Sequence, residues 1–336
     1  MSTPHPPPRT HLTLAGLSLS QLPPPSAPKE ALSPFLTTLL EEAIPLLDSL
    51  PPPSTTTNTP TPADPTPSTY KWTTHPPKSY RPTSDAEVQL YRLTTTPPSN
   101  PDDKTLGNER NKETWTARRS THHPAAPRRG TASFSEFQTY LKDRHVDTEA
   151  ASTKSVEGVW RGPAWGACDG LQVEAAGHRW SQFTMQALAT RHRIGRPVLR
   201  DRAFPLVQVT CSSASGEGEF LVITLYVPDL LTSSSAAFPD DNDGPSRSPS
   251  PGSRRIKDKS KQDVARDAVA AAYVSVERVR RLPGDGDGDG SVEWIMATAS
   301  DAKGVLPMFV QTRAVPGQVA VDVPYFLGWV DGERGK

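Results

Sequence analysis

The side chains best suited to chemistry fall short of every familiar arrangement once their spacing is counted. Asp285-Gly-Asp-Gly-Asp-Gly290 opens like an EF-hand loop, in which alternate carboxylates converge on a hard cation. Such a loop needs a bidentate Glu at position twelve, and here that position is Met296. Its flanks alternate like strands, so the segment reads as a hairpin tip. No Gly-x-Ser-x-Gly elbow and no His-Glu-x-x-His motif occurs. His122 and His123 are adjacent and diverge on an extended segment, while His178 and His192 lack a partner at ligand spacing. Cys168 and Cys211 are too few for a disulfide framework and are not spaced as metal ligands. No catalytic group, metal or cofactor is therefore expected.

The informative residues are charged or aromatic groups inside apolar segments. Arg118, Arg202 and Glu277 lie in strand-like runs or at their starts. On an outer face they would be solvated; on an inner face each needs an ion pair or a polar group to hold. Tyr273 and Trp294 are core residues or ligand contacts. Alternation gives Tyr273, Ser275 and Glu277 one face and Trp294 and Met296 another, and these are expected to face an interior space.

The elements that must position them occupy only part of the chain. Of 336 residues, 35% are hydrophobic, below the ~45–50% of ordinary globular chains. Of the 37 prolines, 23 precede residue 102, and a segment so rich in Pro, Ser and Thr buries too little apolar surface to offset its ordering entropy. Basic and acidic residues balance at 37 each, so no net field draws nucleic acid. There is no basic leader followed by an unbroken apolar run, and no stretch of ~18 apolar residues, so neither a signal peptide nor a membrane span is expected. A reducing, cytosolic setting fits the cysteine usage.

Residues 1–28 read as a disordered Pro-rich arm. Leu32, Phe35, Leu36, Leu39, Leu40, Ala43, Leu46, Leu47 and Leu50 repeat at helical spacing, with Ser33 as N-cap, Pro34 as the first helical residue and Pro45 as a kink or stop. This N-terminal helix, within 29–50, could lie on a membrane, but Glu41, Glu42 and Asp48 would repel anionic lipid, so packing on the domain is favoured. A Pro/Ser/Thr-rich linker follows over 51–84. The domain proper spans 85–331. Strands are predicted at 88–93, 114–120, 206–211, 220–227, 271–282 and 292–300, and a Ser133-capped helix at 134–141. An insert at 232–262 carries Ser246-Arg-Ser-Pro-Ser-Pro-Gly-Ser-Arg-Arg255, which suits phosphorylation or disorder. Val305, Phe309, Val319, Val323, Phe326, Leu327 and Val330 form one stripe of a terminal helix bent at Pro316-Gly317 and Pro324. Hairpins with helices kept to the ends indicate an α+β domain with an antiparallel sheet.

Particular blocks of this chain carry a family resemblance. Tyr273 to Val279, Val292 to Pro307 and Val315 to Leu327 resemble a fungal START-like family of unknown function, as do Trp115 to His122, residues 134–141 and Leu199 to Phe204. The resemblance covers about 115–330. It implies a helix-grip fold, a curved antiparallel sheet around a long C-terminal helix, with a cavity for a hydrophobic lipid such as a sterol, a phospholipid or another acyl compound. The residues expected to line it are Trp115, Arg118, Arg202, Tyr226, Tyr273, Glu277, Trp294, Met296, Phe309 and Phe326. The expected role is lipid binding or transfer by a monomer without enzymatic activity, with peripheral membrane contact left open. A protein-interaction module recruiting through its Pro-rich arm is the alternative, and an enzyme on a hydrophobic substrate the weakest. Ser300-Asp-Ala-Lys-Gly304 is placed to act as a hinge for the terminal helix as a lid.

Overall fold

The structure is a computed structural model that describes residues 10–52, 70–95, 113–123, 129–194, 199–216, 218–238, 258–283, 290–304 and 308–335; for 308–314 the backbone alone is described. In chain order its elements are α1 (Lys29–Asp48), β1 (Thr73–Lys78), β2 (Val88–Thr95), β3 (Glu113–His122), α2 (Phe134–Phe137), α3 (His145–Ser152), β4 (Val156–Ala164), β5 (Val173–Ala175), β6 (His178–His192), β7 (Arg202–Ser213), β8 (Glu219–Tyr226), α4 (Lys261–Ala265), β9 (Val269–Ala270), β10 (Ala272–Arg281), β11 (Val292–Asp301) and α5 (Met308–Arg334). A π-helical turn, Gln138–Asp143, continues α2. The strands form one sheet in the order β1-β2-β3-β11-β10-β8-β7-β6-β4, antiparallel along that path, with β5 paired to β6 and β9 parallel to β7.

Alternation sends every second residue to each face, and both faces are covered. On the outer face Trp115, Ala117, Val274, Val276, Ile295 and Ala297 pack with Leu32, Leu36, Leu39 and Ala43 of α1. On the inner face Val222, Val279 and Trp294 meet Phe137 of α2 and Ala320, Val323, Phe326, Leu327 and Val330 of α5. A separate inner cluster joins Val146 and Ala150 of α3 to Val159, Leu188 and Leu206. The inner face thus carries two apolar plugs, one under each helix, with space left between them. This is the α+β helix-grip arrangement: an antiparallel sheet curled around its C-terminal helix.

Several expectations need correction. Helix α1 begins at Lys29 after Pro28 and runs through both Pro34 and Pro45. A mid-helix proline costs ~3 kcal/mol, but burial of a whole Leu-rich face outweighs it. Of the arm at 1–28, residues 1–9 lie outside the described residues, whereas Leu12, Leu17, Leu22 and Ala27 are buried in the outer core. Part of the expected linker at 51–84 is β1, an exposed edge strand, where Pro76 and Pro77 are tolerated because edge N–H groups need no partner. In the insert at 232–262, Phe238 and Lys261 are buried, and residues 239–257, with the Ser/Pro/Arg segment 246–255, lie outside the described residues. So does the hairpin tip at 284–289. The Ser133 cap is present, its side chain accepting from the Glu136 N–H while Glu136 closes a capping box.

The N-terminal segment is held by one carboxylate. Glu42 of α1 accepts from Thr10 N–H and Oγ1 (2.9 and 2.8 Å), from His11 Nδ1 (2.8 Å) and from Leu12 N–H (3.1 Å). Burial alone would raise its pKa, yet the hydrogen bonds from His11 and Thr10 win and hold it at about 2. A carboxylate depressed in this way stabilises the fold above its unfolded pKa, and the contribution disappears as pH falls towards 2. Glu42→Gln should therefore cost about 1–3 kcal/mol at pH 7 in urea denaturation. The deficit should shrink steadily below pH 4.

Candidate functional site

Between the inner face of the sheet, α3 and α5 lies a cavity of about 390 Å³. Its walls come from β3, β6, β7, β8, β10 and β11 on one side and from both helices on the other. Along α5 the lining residues Val315, Gln318, Val319, Asp322, Tyr325 and Phe326 recur at helical spacing beside the stripe that seats the helix. The helix is thus anchored by one stripe and faces the hollow with its neighbour.

Register explains how the strand residues gather. In the β10–β11 hairpin Glu277 pairs with Met296, Val279 with Trp294, Ser275 with Thr298 and Tyr273 with Ser300. The two sets that alternation had given separate faces therefore share the inner one. Arg118 joins them because β3 pairs it with Met296 on β11. Of the expected site residues, Arg118, Tyr273, Glu277, Trp294, Met296 and Phe326 line the cavity together.

Trp115, Arg202 and Tyr226 do not. Trp115 lies three residues from Arg118, an odd separation that puts it on the outer face against α1. Arg202 spends its guanidinium on main-chain carbonyls, donating from Nε to Ala302 O (2.6 Å), from Nη2 to Lys303 O (3.4 Å) and from Nη1 to Arg200 O. Tyr226 ends β8 against the N-terminal segment: a Cβ on Gly16 would sit 2.6 Å from its ring, and Leu17 N–H donates to its carbonyl (2.9 Å). The side chain of Phe309 lies outside the described residues.

Sequence reasoning missed Asp322, Thr148, Glu149, His145 and His192, all of which line the cavity. Asp322 left a signal, a carboxylate within the apolar stripe of the terminal helix. Residues of α3 left none, because eight residues with weak amphipathicity carry little periodicity.

Arg118 and Glu277 form a buried polar pole in the cavity wall. Arg118 is 1% exposed, with Nη2 3.7 Å from Glu277 Oε2 and its guanidinium carbon 3.7 Å from the centre of the Trp294 ring. Trp294 Nε1 donates to the same Glu277 oxygen at 2.9 Å. Arg118 Nε and Nη1 are buried with no hydrogen-bond partner among the described residues, as is Thr148 Oγ1. Burial pulls the Arg118 pKa down, against the opposing pull of Glu277 and Asp322. Trp294, Phe137 and Phe326 close this end as a ring cluster with centroids 5.1–5.4 Å apart. His122 packs on Phe137, its pKa lowered to about 3 by burial and by Arg118, so it stays neutral and shares a hydrogen bond with Ser120 Oγ (2.9 Å). Burial also lowers His192, whose nitrogens meet Ser155 Oγ (3.2 Å) and Thr190 Oγ1 (3.1 Å).

Asp322 is half-buried and lines the cavity. Burial raises its pKa to about 7; Arg118 opposes that rise, while Glu277 and Glu149 add to it. The native state thus holds a proton that the unfolded chain releases near 3.8, so stability is lost as pH climbs from there to about 7. Asp322→Asn should accordingly raise Tm at pH 8 and leave it nearly unchanged at pH 4. Equal shifts at both values would contradict the assignment.

Among the described residues no cluster of three or more His, Cys, Asp or Glu could hold a metal ion, and no helix is long and apolar enough to cross a membrane. Both cysteines are free and buried, the Cys168 thiol pushed up to about 11 and Cys211 higher still by desolvation.

Comparison with solved structures gives distant likenesses. Human STARD10 is 12% identical, with 77% of this chain and 73% of that chain covered and a TM-score of 0.39. Human StAR-related lipid transfer protein 5 is 10% identical, with 91% and 100% covered and a TM-score of 0.44. The human StarD13 (DLC2) lipid transfer and protein localization domain is 11% identical, with 77% and 90% covered and a TM-score of 0.33. No curated protein sequence matches. A family match covers residues 115–330, a span that contains every residue lining the cavity from Arg118 to Phe326. The chain belongs to the family described as "Protein of unknown function (DUF3074)".

Proposed function

We propose that this chain binds one hydrophobic molecule in the cavity and carries it, without chemistry, between membranes or partners. The observation that carries this reading is an enclosed hollow with a buried polar pole, where two donor nitrogens of Arg118, Nε and Nη1, have no acceptor among the described residues. A buried donor left unpaired costs ~1–3 kcal/mol, so a guest that supplies the acceptor recovers that energy on entry. Burying ~400 Å² of apolar guest surface adds roughly 10 kcal/mol of gross driving force, less the cost of ordering.

Size and charge narrow the guest. A volume of 390 Å³ stands near the lower end of the ~300–1,000 Å³ range of small-molecule sites, which favours one acyl chain or a compact ring system over a two-chain phospholipid. Glu277 already balances Arg118, so the pole lacks acceptors rather than negative charge. An uncharged oxygen, from a hydroxyl, ketone or ester, suits it better than a second carboxylate. Glu277 accepts from Trp294 Nε1, and His192, its pKa lowered by burial, meets the hydroxyls of Ser155 and Thr190. Two buried, unpaired thiols suit a cytosolic setting.

Fluorescent analogues offered in vesicles test this reading on the purified full chain. Saturable one-to-one uptake is expected for a compact neutral lipid, with at least tenfold weaker uptake of a diacyl phospholipid. Uptake of none of them, judged by protection from an aqueous quencher, contradicts the reading.

A further inference from the structure

We propose that α3 builds a second recognition subsite in the cavity, centred on Thr148 with His145 and Glu149, and that this subsite takes a hydroxyl of the guest. The guest class is thereby narrowed to a neutral lipid with two separated oxygens, an acceptor at Arg118 and a hydroxyl at α3. The inference rests on the binding reading above and deepens it.

Helix α3 has a seated face and a cavity face. Val146 and Ala150 seat it on Val159, Leu188 and Leu206, above β4, β6 and β7. Leu141, in the π-helical turn before it, and His145, Thr148, Glu149 and Ser152 recur at helical spacing and line the cavity. Thr148 is 2% exposed, and its Oγ1 has no hydrogen-bond partner among the described residues. A helical threonine can satisfy its hydroxyl on the carbonyl four residues back, as Thr37 and Thr38 of α1 do on Ser33 O and Pro34 O at 2.9 and 3.0 Å. Thr148 gives Arg144 O its N–H at 2.9 Å but not its hydroxyl.

The neighbours of Thr148 supply acceptors. His145 Nδ1 lies 2.9 Å from Leu141 O, so Nδ1 carries the proton, and in the neutral ring Nε2 is left as an acceptor. Nε2 stands 4.0 Å from Glu149 Oε2, too far for a hydrogen bond between them. A guest hydroxyl answers all three groups: it accepts from Thr148 Oγ1 and donates to Glu149 or His145. The two poles are complementary, since Arg118 offers donors alone and α3 offers mainly acceptors. They also lie apart. Arg118 belongs with Trp294 and Glu277 over β3, β11 and β10, while α3 sits over β4, β6 and β7 at the other end of the sheet. Asp322 of α5 is within the field of both: burial raises its pKa first, and Arg118, Glu277 and Glu149 then act on it. A guest held at both poles spans the hollow, with its oxygens at opposite ends of an apolar skeleton.

The test is competition binding on the full chain. A fluorescent compact neutral lipid is displaced by methyl esters of ω-hydroxy fatty acids of graded chain length, and by the same esters without the hydroxyl. At the best length the hydroxylated ester should bind about tenfold tighter than its partner, the worth of one good hydrogen bond. Thr148→Val keeps the branched shape and should bring the two esters within about threefold of each other, leaving the affinity of the plain ester unchanged. Its Tm should hold or rise, because the lost hydroxyl bonds nothing among the described residues. Thr148→Ser should restore the preference. Glu149→Gln, at a half-exposed position, should lower the preference about threefold and carries the test if Thr148→Val does not fold. No preference for the hydroxylated ester at any length overturns the subsite alone, as does a preference that Thr148→Val and Glu149→Gln leave intact. An equal loss for both esters makes Thr148 structural and overturns it too. Tighter binding of the matching ω-amino ester overturns the neutral class. A wild-type chain that takes up no probe overturns the binding reading and the subsite with it.

Discussion

Arg118→Met is expected to destabilise the protein by about 3–5 kcal/mol, and Arg118→Met combined with Glu277→Gln to recover most of that loss. The reason is asymmetric. Arg118 and Glu277 are 1% and 7% exposed, and removing the cation leaves a buried carboxylate whose hydrogen bond among the described residues is that from the Trp294 N–H at 2.9 Å. Removing both charges leaves a nearly neutral pole, which a cavity of this size tolerates. Asp322 is part of the same set, because Arg118 restrains its raised pKa; losing the cation should move its titration higher still. Urea denaturation of the two single variants and the double variant measures the coupling directly. Additive losses would show that the pair is not coupled. The double variant also separates stability from binding: it folds, but it lacks the two N–H donors, so guest affinity should fall tenfold or more, the worth of one or two hydrogen bonds to a charged donor.

Thr224→Phe is expected to abolish guest uptake while leaving the fold intact. Thr224 lies on the inner face of β8, paired with Gln208 and Ser275, and its side chain looks into the cavity. A phenyl ring there occupies space that the guest needs, and its own burial offsets the loss of the small polar group, so Tm should hold or rise. The matched control is Ala297→Phe on the outer face, where Ala297 is fully buried in the core shared with α1 and does not line the cavity. Overpacking there should cost ~1–3 kcal/mol or more. Similar destabilisation at the two sites would mean that the inner face is as tightly filled as the outer one.

What could be read in advance depended on whether a segment's order is local. The β10–β11 hairpin alternates cleanly and was legible, as were the Ser133 cap and the apolar stripe of α5. Strand β6, fifteen residues long, was not: Trp180 and Phe183 both reach the outer core, and a bulge between Ser181 and Thr184, with Gln182 at φ +52°, shifts the alternation between them. The segment before α1 has Leu12, Leu17 and Leu22 at no regular period. Its order comes from acceptors far away in the chain: Glu42, Glu113 on Leu14 N–H (2.6 Å) and Asp229 on Leu19 N–H (3.0 Å). No local pattern reports such contacts.

The site was legible wherever face followed from parity. Tyr273, Glu277, Trp294 and Met296 needed only alternation and a hairpin register. Trp115 was avoidable by the same rule, being an odd number of residues from Arg118 in an unbulged strand. Arg202 and Tyr226 sit at strand ends, where parity still holds but the cavity has already given way to loops. Asp322 was marked only as a carboxylate within the apolar stripe of α5, and the residues of α3 required the tertiary arrangement, since that helix is short and weakly amphipathic.

The central claim is that the hollow between sheet and α5 holds a guest, and native mass spectrometry of the full chain purified from a eukaryotic host addresses it most directly. The predicted result is an adduct of one small neutral lipid per chain, lost on organic extraction and absent from Thr224→Phe. A wild-type spectrum at the bare chain mass that stays there after incubation with sterol and single-chain lipid would contradict it.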